Sequence, residues 1–488
     1  SVLSGVPGER VLLRDQRGRR YESPSRRARD PIPGHDLHLT LDAGLQEIAE
    51  RTLDEVIERV DAEGGDVVFL DPRTGELLAL ASRQAGRHDN VSARASVFTD
   101  TYEPGSTAKL FTAAALLASG RVDSADAVAG ENGKWDMPIV GKRVRRITDT
   151  HAEPGMLTLQ QTIEVSSNIG IAKFAERLTD AEQFETLRSF GFGSPTGVEF
   201  PSEARGILKP LPAWNQRYTR FSQAMGYEFA VTPVQLAAAY GAIANDGLLL
   251  SPTLVRSVRA PTGEVVYTHQ PEPVRRAVTP EIAGRLREFL RNAASEAGTG
   301  SRAQLVGYQI LGKTGTARRV RDGRYVPSSH TASFAAIFPA DDPQVVVIAK
   351  IDDPKEGGYY GGVTAAPLIN DMLEQALASG GAGLDPSRLV TASAVPEPRA
   401  AAPEPAPERM MRAAVLPWPL APADSGTELA SAPVPPVAGS PLRDGVRLLH
   451  QAGMHVRLRG SGSTILRTDP DAGAALARGA TVTVWTNE

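Results

Sequence analysis

The stretch YEPGSTAKLF at residues 102–111 decides how the rest of this sequence is interpreted. Pro104 and Gly105 predict a turn, and the apolar run after Lys109 predicts a buried helix. Ser106 is therefore expected at a helix N-terminus, where free backbone N–H groups favour negative charge. Lys109 follows one turn later, and a partly desolvated lysine there can take the serine proton. The alternative is a capping serine beside a solvated lysine, so this stretch alone does not identify a nucleophile.

Two short motifs downstream carry side chains that would complement a serine nucleophile. Ser166 and Asn168 lie two residues apart, where a hydroxyl can relay a proton and an amide can hold a peptide. Residues 313–316 read KTGT on a predicted strand, where glycine admits a second backbone and the lysine and hydroxyls can bind a carboxylate. Each motif also has an interpretation without catalysis. The first is common as a helix cap, and the second is common on an edge strand whose lysine prevents pairing with other strands.

Composition limits the classes of function that remain. With 488 residues the chain is expected to form two or three domains, and its net charge of −4 gives no overall drive toward nucleic acid. There is no cysteine, which excludes disulfides and thiolate catalysis. His35 and His38 have no further ligand spaced nearby, so no metal site is predicted.

The order of predicted elements indicates the fold class and the domain boundaries. Between residues 38 and 379, a hairpin, a helical block, further strands and a closing helix predict an α+β fold, with an antiparallel sheet flanked by helices. Residues 1–37 contain too little apolar material for a core of their own and are expected to be the end of a preceding domain. The Ala/Pro-rich residues 380–439 predict an extended linker, and residues 440–488 a small α+β module.

Capping residues and apolar spacing place the individual elements. Thr40 or Asp42 is expected to begin a helix, and Thr158 and Thr232 to begin two others. Apolar runs around turn residues predict hairpins over 66–81 and 333–351. An amphipathic helix is predicted over 280–295 and a final helix over about 364–377.

Together the three motifs, in the order S-x-x-K, S-x-N and K-T-G, form the set found in penicillin-binding proteins and class A β-lactamases. Over about residues 35–380 the chain resembles the transpeptidase domain of class B penicillin-binding proteins. The likeness includes the stretches LTLD at 39–42, FGFG at 190–193, TPVQL at 232–236 and YGG at 360–362. Residues 1–37 resemble the remnant of the N-terminal pedestal domain that such proteins carry. Residues 440–488 resemble a PASTA domain, which within the family favours a septal (FtsI-type) enzyme by association.

The resemblance implies a serine β-lactamase-like fold and a role for each motif residue. It implies that Ser106, Lys109, Ser166 and Asn168 are catalytic and that Lys313, Thr314, Gly315 and Thr316 bind substrate. The backbone N–H groups of Ser106 and Thr316 would form the oxyanion hole. The implied substrates are peptidoglycan stem peptides ending in D-Ala-D-Ala, the implied covalent inhibitors are β-lactams, and no metal or organic cofactor is implied.

Other functions share the same acylation chemistry. A D,D-carboxypeptidase differs in using water as acceptor, a non-turnover penicillin-binding sensor stops at the acyl-enzyme, and a β-lactamase needs a deacylating glutamate that no motif supplies. The resemblance also implies a membrane glycosyltransferase partner of the FtsW type and other division proteins. We expect the chain at the extracytoplasmic (periplasmic or cell-surface) face of the cytoplasmic membrane, anchored by an N-terminal segment absent from this chain.

Overall fold

The computed structural model describes residues 3–9, 12–22, 29–85, 95–140, 143–321, 323–380, 382–389, 431–460, 462–477 and 480–487. The chain divides into two compact units, Ser1–Val390 and Thr391–Glu488, and each is described by itself.

A five-stranded, fully antiparallel sheet organises the first unit. Its outermost strand, Leu311–Arg321, contains the KTGT motif and is called the edge strand below. The remaining order is Arg324–Phe338, Val345–Asp352, Gly64–Leu70 and Leu77–Gln84. The inner strands Val345–Asp352 and Gly64–Leu70 are buried along almost their whole length because both faces of the sheet are covered.

Helices cover the two faces of this sheet and make two cores. On one face, Val68, Val346 and Ile348 pack with helices Lys109–Ser119 and Pro233–Ala244. On the other face, Phe69 and Val347 pack with helices Ala43–Arg59 and Ala365–Ala378. The predicted α+β fold with an antiparallel sheet flanked by helices is confirmed.

Several helices begin at the capping residues that the sequence indicates. The Asp42 side chain, rather than that of Thr40, accepts the backbone N–H of Leu45 and caps the first helix. Thr158 and Thr232 each form a capping box with the glutamine three residues later. The other helices of this unit are Ser96–Thr99, Asn168–Ala175, Asp180–Ser189, Thr219–Ala224 and Pro280–Ala293.

Smaller sheets surround this framework. The antiparallel pairs are Leu12–Arg14 with Arg20–Glu22, Ala127–Ala129 with Met156–Thr158, Lys134–Val140 with Arg143–Thr148, Ile207–Leu208 with Phe229–Ala230, and Leu248–Leu250 with Pro273–Arg276. A three-stranded sheet has the order Val265–Thr268, Val255–Arg259 and Asp36–Leu39.

The second unit has its own small core. Helix Leu442–Gln451 packs on a sheet in which Thr481–Thr486 lies between His455–Arg459 and Ile465–Asp469. Ser431–Pro433 pairs with Ala475–Ala477, and Val434 and Val437 pack in this core, so residues from the end of the stretch expected as linker belong to this unit. Residues 390–430, the greater part of that stretch, lie outside the described residues. None of the described helices combines the length and the hydropathy needed to cross a bilayer.

Candidate active site

The nucleophile candidate lies in a tight turn that runs directly into a buried helix. Residues Gly105–Ala108 form a 3₁₀-helix, and helix Lys109–Ser119 continues from it. The backbone N–H of Lys109 donates to the carbonyl of Ser106. Because residues three apart are eclipsed in a 3₁₀-helix, the side chains of Ser106 and Lys109 leave the turn on the same side.

Glycines allow this turn to touch the edge strand. A Cβ on Gly315 would lie 2.3 Å from Ser333 Oγ and 3.0 Å from the carbonyl oxygen of Pro104. A Cβ on Gly105, whose φ is +55°, would lie 3.0 Å from the carbonyl oxygen of Thr316. Any side chain at either glycine would push the two backbones apart, so the sequence brings Ser106 and Thr316 next to each other through these glycines.

The second motif lies in the connection between helices Leu159–Glu164 and Asn168–Ala175. Ser166 has φ +60°, a left-handed conformation that is uncommon for a residue other than glycine. Asp149 fixes the next residues: its carboxylate accepts the Ser167 hydroxyl and the backbone N–H groups of Asn168 and Ile169. The side-chain amide of Asn168 donates to the carbonyl of Thr148, 2.8 Å away.

Two fully buried lysines converge on the hydroxyl of Ser166. Lys109 Nζ lies 3.3 Å from Ser166 Oγ and also donates to the carbonyl of Ser166. Lys313 Nζ lies 2.8 Å from the same Oγ and 3.4 Å from Thr314 Oγ1. The first, second and third motifs of the sequence therefore meet at one hydroxyl.

Burial changes the protonation of both amines. Desolvation lowers the pKa of Lys109 to about 7, against the opposing attraction of Asp149. Desolvation also places the pKa of Lys313 well below its ordinary value, and the neighbouring charge of Lys109 lowers it further. A lysine with a pKa near 7 exists as the free amine in a substantial fraction of molecules at neutral pH, as a general base must.

A cavity of about 720 Å³ opens above these lysines. Ser106, Ser166, Asn168, Thr314 and Thr316 all line it. Lys109 and Lys313 are completely buried and reach it through Ser166, while Gly315 lies against the nucleophile turn. The structure thus brings together every residue that the sequence and the resemblance single out.

Sequence reasoning missed two residues that hold these groups in place. Asp149 belongs to none of the motifs, although its carboxylate accepts the first N–H groups of helix Asn168–Ala175 and acts on Lys109. Thr299 Oγ1 lies 2.7 Å from Thr314 Oγ1 and orients that hydroxyl. Neither residue could be identified from the sequence, because each contacts residues 15 or more positions away and local sequence patterns do not predict such contacts.

A buried ion-pair group lies behind the nucleophile turn on the same sheet. Lys350 Nζ lies 2.8 Å from Asp66 Oδ2, also pairs with Asp352, and lies 5.6 Å from the centre of the Tyr102 ring. Ser82 and Ser96 donate to the other oxygen of Asp66. The two carboxylates outweigh the effect of burial and raise the pKa of Lys350, in contrast to the two cavity lysines.

Comparison with known proteins agrees with this geometry. The family profile "Penicillin binding protein transpeptidase domain" matches residues 65–374, and the PASTA domain profile matches residues 432–488. The chain is 33% identical over 403 residues to the "Probable peptidoglycan D,D-transpeptidase PenA" of Neisseria gonorrhoeae, covering 81% of this chain and 66% of the relative. It is 32% identical to the peptidoglycan D,D-transpeptidase FtsI of Escherichia coli, covering 80% of this chain and 63% of the relative. The chain thus spans about two thirds of the length of these curated relatives.

Solved structures show the same architecture. The transpeptidase domain of penicillin-binding protein 3 from Burkholderia pseudomallei matches with 31% identity and a TM-score of 0.61, over 70% of this chain and 96% of that domain. Penicillin-binding protein 3 from Mycobacterium tuberculosis, in complex with aztreonam, matches with 27% identity and a TM-score of 0.65, over 76% of this chain and 84% of that chain. The predicted penicillin-binding fold and PASTA module are confirmed. The chain belongs to the penicillin-binding protein transpeptidase family, in its class B group, and ends in a PASTA domain.

Proposed function

We propose that this protein is a peptidoglycan D,D-transpeptidase that crosslinks stem peptides through an acyl-enzyme on Ser106. The observation that carries the proposal is the meeting of Lys109 and Lys313 at Ser166 Oγ, beneath a cavity lined by Ser106. It joins a base, a proton relay and a carboxylate clamp in one site.

The first half-reaction forms the acyl-enzyme. Ser106 Oγ attacks the penultimate carbonyl of a donor ending in D-Ala-D-Ala, and its proton passes to the neutral amine of Lys109. The C–N bond then breaks, and the proton returns from Lys109 through Ser166 to the departing amine, so that free D-Ala leaves. The pKa of Lys109, lowered to about 7 by burial, supports its role as the base.

Backbone and side-chain donors would bind the scissile carbonyl and the terminal carboxylate of the donor peptide. The N–H groups of Ser106 and Thr316 stabilise the oxyanion, a contribution of about 3–4 kcal/mol per donor. Lys313, Thr314 and Thr316 bind the terminal carboxylate, and Gly315 lets the peptide and the nucleophile turn approach the strand. A carboxylate beside Lys313 favours the charged amine, so substrate binding itself restores the positive charge that burial disfavours.

The second half-reaction consumes the ester. An amine from a neighbouring strand attacks the acyl carbon, the ester C–O bond breaks, and Ser106 regains its proton as the crosslink forms. Asn168, held by Thr148 and Asp149, orients the peptide amide. A β-lactam would acylate Ser106 in the same way but leave slowly.

We further propose a septal role for this chain at the extracytoplasmic face of the cytoplasmic membrane, with an N-terminal anchor. Its partners there would be a membrane glycosyltransferase of the FtsW type and other division proteins. The similarity to class B relatives and the PASTA domain match over residues 432–488 support this placement.

Intact-mass measurement tests the nucleophile. After incubation with benzylpenicillin, wild type is expected to gain one penicillin mass, and Ser106→Ala none. Ser119→Ala, at the far end of the same helix, is the matched control and is expected to react like wild type. A stable adduct on Ser106→Ala would contradict the proposal.

A donor–acceptor assay tests the fate of the acyl group. With lipid-linked donor strands, each D-Ala released is expected to match one crosslinked dimer. D-Ala matched by free tetrapeptide would indicate a carboxypeptidase, and a stoichiometric adduct without product would indicate a sensor.

A further inference from the structure

The three-stranded sheet of the second unit presents two different faces. Helix Leu442–Gln451 packs on one face, where Val482 and Val484 are buried in the small core. Successive side chains of a strand point to opposite faces, so Thr483 and Trp485 lie on the face away from the helix. Both are only partly buried there. This second face is therefore accessible to a ligand, and the strand pairing shows which side chains surround it.

Three exposed arginines flank Trp485 and Thr483 on this face. Arg457 and Arg459, on one neighbouring strand, are in register with Thr483 and Trp485 respectively. Arg467, on the other neighbouring strand, is also in register with Trp485, and its guanidinium lies 3.6 Å from the centre of the indole ring. Neighbouring strands are about 5 Å apart, so positive charge lies on both sides of the indole. These five residues are called the open face below.

A β-bulge adds an exposed apolar side chain next to the open face. From Ile465 to Arg467 this strand advances two residues, while its partner advances one, from Thr486 to Trp485. The extra residue is Leu466, which is 60% exposed. Bulges re-aim the side chains of a strand, and here both Leu466 and Arg467 are left exposed. A solvated leucine beside an arginine and a tryptophan is unfavourable in water, but this combination suits the boundary between water and hydrocarbon.

The arginines of the open face form no ion pair with any carboxylate of the described residues. Within the three strands of this sheet the one carboxylate is Asp469, in register with Thr483, and it forms no ion pair with them. By contrast, Arg447 on the helix lies 3.8 Å from Asp444 on the same helix. Three exposed guanidinium groups beside one carboxylate leave a net positive charge on the open face. Charge complementarity therefore favours an anionic ligand there.

We propose that the open face docks on a membrane surface that contains anionic phospholipid. The planar fork of each arginine binds a lipid phosphate through two parallel hydrogen bonds. Trp485 and Leu466 lie at the level of the headgroups, where amphipathic aromatic and apolar side chains are both favoured. This docking uses none of the residues that line the Ser106 cavity, and it adds a lipid-binding function to the proposed transpeptidase activity.

Vesicle binding by the full chain tests this docking. Phosphatidylcholine vesicles with about 30% phosphatidylglycerol would be compared with pure phosphatidylcholine vesicles, at about 0.05 M and about 0.5 M salt. Wild type is expected to bind the anionic vesicles at low salt and to lose most of this binding at high salt. Arg467→Gln is expected to lower the partition coefficient about fivefold, and Arg457→Gln/Arg459→Gln/Arg467→Gln about 100-fold. Leu466→Ser is expected to lower it about threefold, because less apolar surface enters the interface.

Arg447→Gln is the matched control, because it removes the same charge from the helix instead of from the open face. It is expected to bind the anionic vesicles as wild type does, and the triple arginine variant is expected to keep the wild-type rate of acylation by benzylpenicillin. Wild type without a preference for anionic vesicles, or an equal loss in Arg447→Gln and Arg467→Gln, would overturn the docking. The triple variant might keep vesicle binding but lose binding to isolated cell-wall glycan. That result would also overturn the docking, because it would assign the open face to a polymer.

Discussion

The first unit buries lysines in two contrasting ways. At the cavity, Lys109 and Lys313 share a serine hydroxyl without a carboxylate against either amine, and the pKa of each is lowered. Behind the nucleophile turn, Lys350 is held between Asp66 and Asp352, and its pKa is raised. Carboxylate partners therefore distinguish a lysine that stabilises the fold from a lysine kept available for proton transfer.

Replacing the cavity base should give the largest effect. Lys109→Met is expected to slow acylation by benzylpenicillin by about 10²–10⁴-fold, the usual contribution of a positioned base. Its free energy of unfolding is expected to stay unchanged or rise, because methionine removes an amine whose burial is unfavourable. Stopped-flow acylation and urea unfolding measure the two effects. If Lys109→Met unfolds at a much lower urea concentration than wild type, Lys109 stabilises the fold as Lys350 does, which would contradict this contrast.

Replacing the ion-paired lysine should act on stability instead. Lys350→Met leaves the buried Asp66 and the partly buried Asp352 without this countercharge and is expected to cost roughly 3–5 kcal/mol of unfolding free energy. The double variant Lys350→Met/Asp66→Asn is expected to recover part of that loss. Arg51→Met is the control, since Arg51 and its partner Glu55 are both more than half exposed; about 1 kcal/mol or less is expected. If Lys350→Met costs no more than this control, the ion-pair group does not stabilise the fold.

Replacing Asp149, the carboxylate that acts on Lys109, should have a smaller effect. Asp149→Asn weakens the cap of helix Asn168–Ala175, for a loss of about 1 kcal/mol. Because Asp149 raises the pKa of Lys109, the variant is expected to reach full acylation activity at a lower pH than wild type. Asp126→Asn, on an exposed loop, should leave the pH dependence unchanged. A shift of the profile to higher pH would contradict the assigned electrostatics.

Features that depend on residues close together in the sequence could be predicted. Asp42, Thr158 and Thr232 could be identified as cap candidates because a cap acts on residues only three positions away. The S-x-x-K turn could also be predicted, since proline, glycine and an apolar run specify it locally. The sequence allowed either Thr40 or Asp42 as the cap of the first helix. In the structure the Asp42 carboxylate accepts the Leu45 N–H, so Asp42 is the cap.

Long-range pairings could not be predicted in this way. Lys350 and Asp66 are opposite each other only because their strands are neighbours in the sheet, an order that periodicity does not encode. Asp149 is a similar case, because its role depends on which loop faces the cavity. Motif residues were found because their types and order are characteristic, whereas the residues that tune their charge carry no such signature.

The pH dependence of acylation tests the central claim most directly. The rate constant for benzylpenicillin acylation of Ser106 would be measured from pH 5 to 9 for wild type and Lys109→Met. Lys109 must be neutral to accept the proton, and its pKa is lowered to about 7. The rate for wild type is therefore predicted to rise about tenfold per pH unit below 7 and to level off above it, while Lys109→Met stays low throughout. A wild-type rate that does not change between pH 5 and 9 would contradict the assignment of Lys109 as the base.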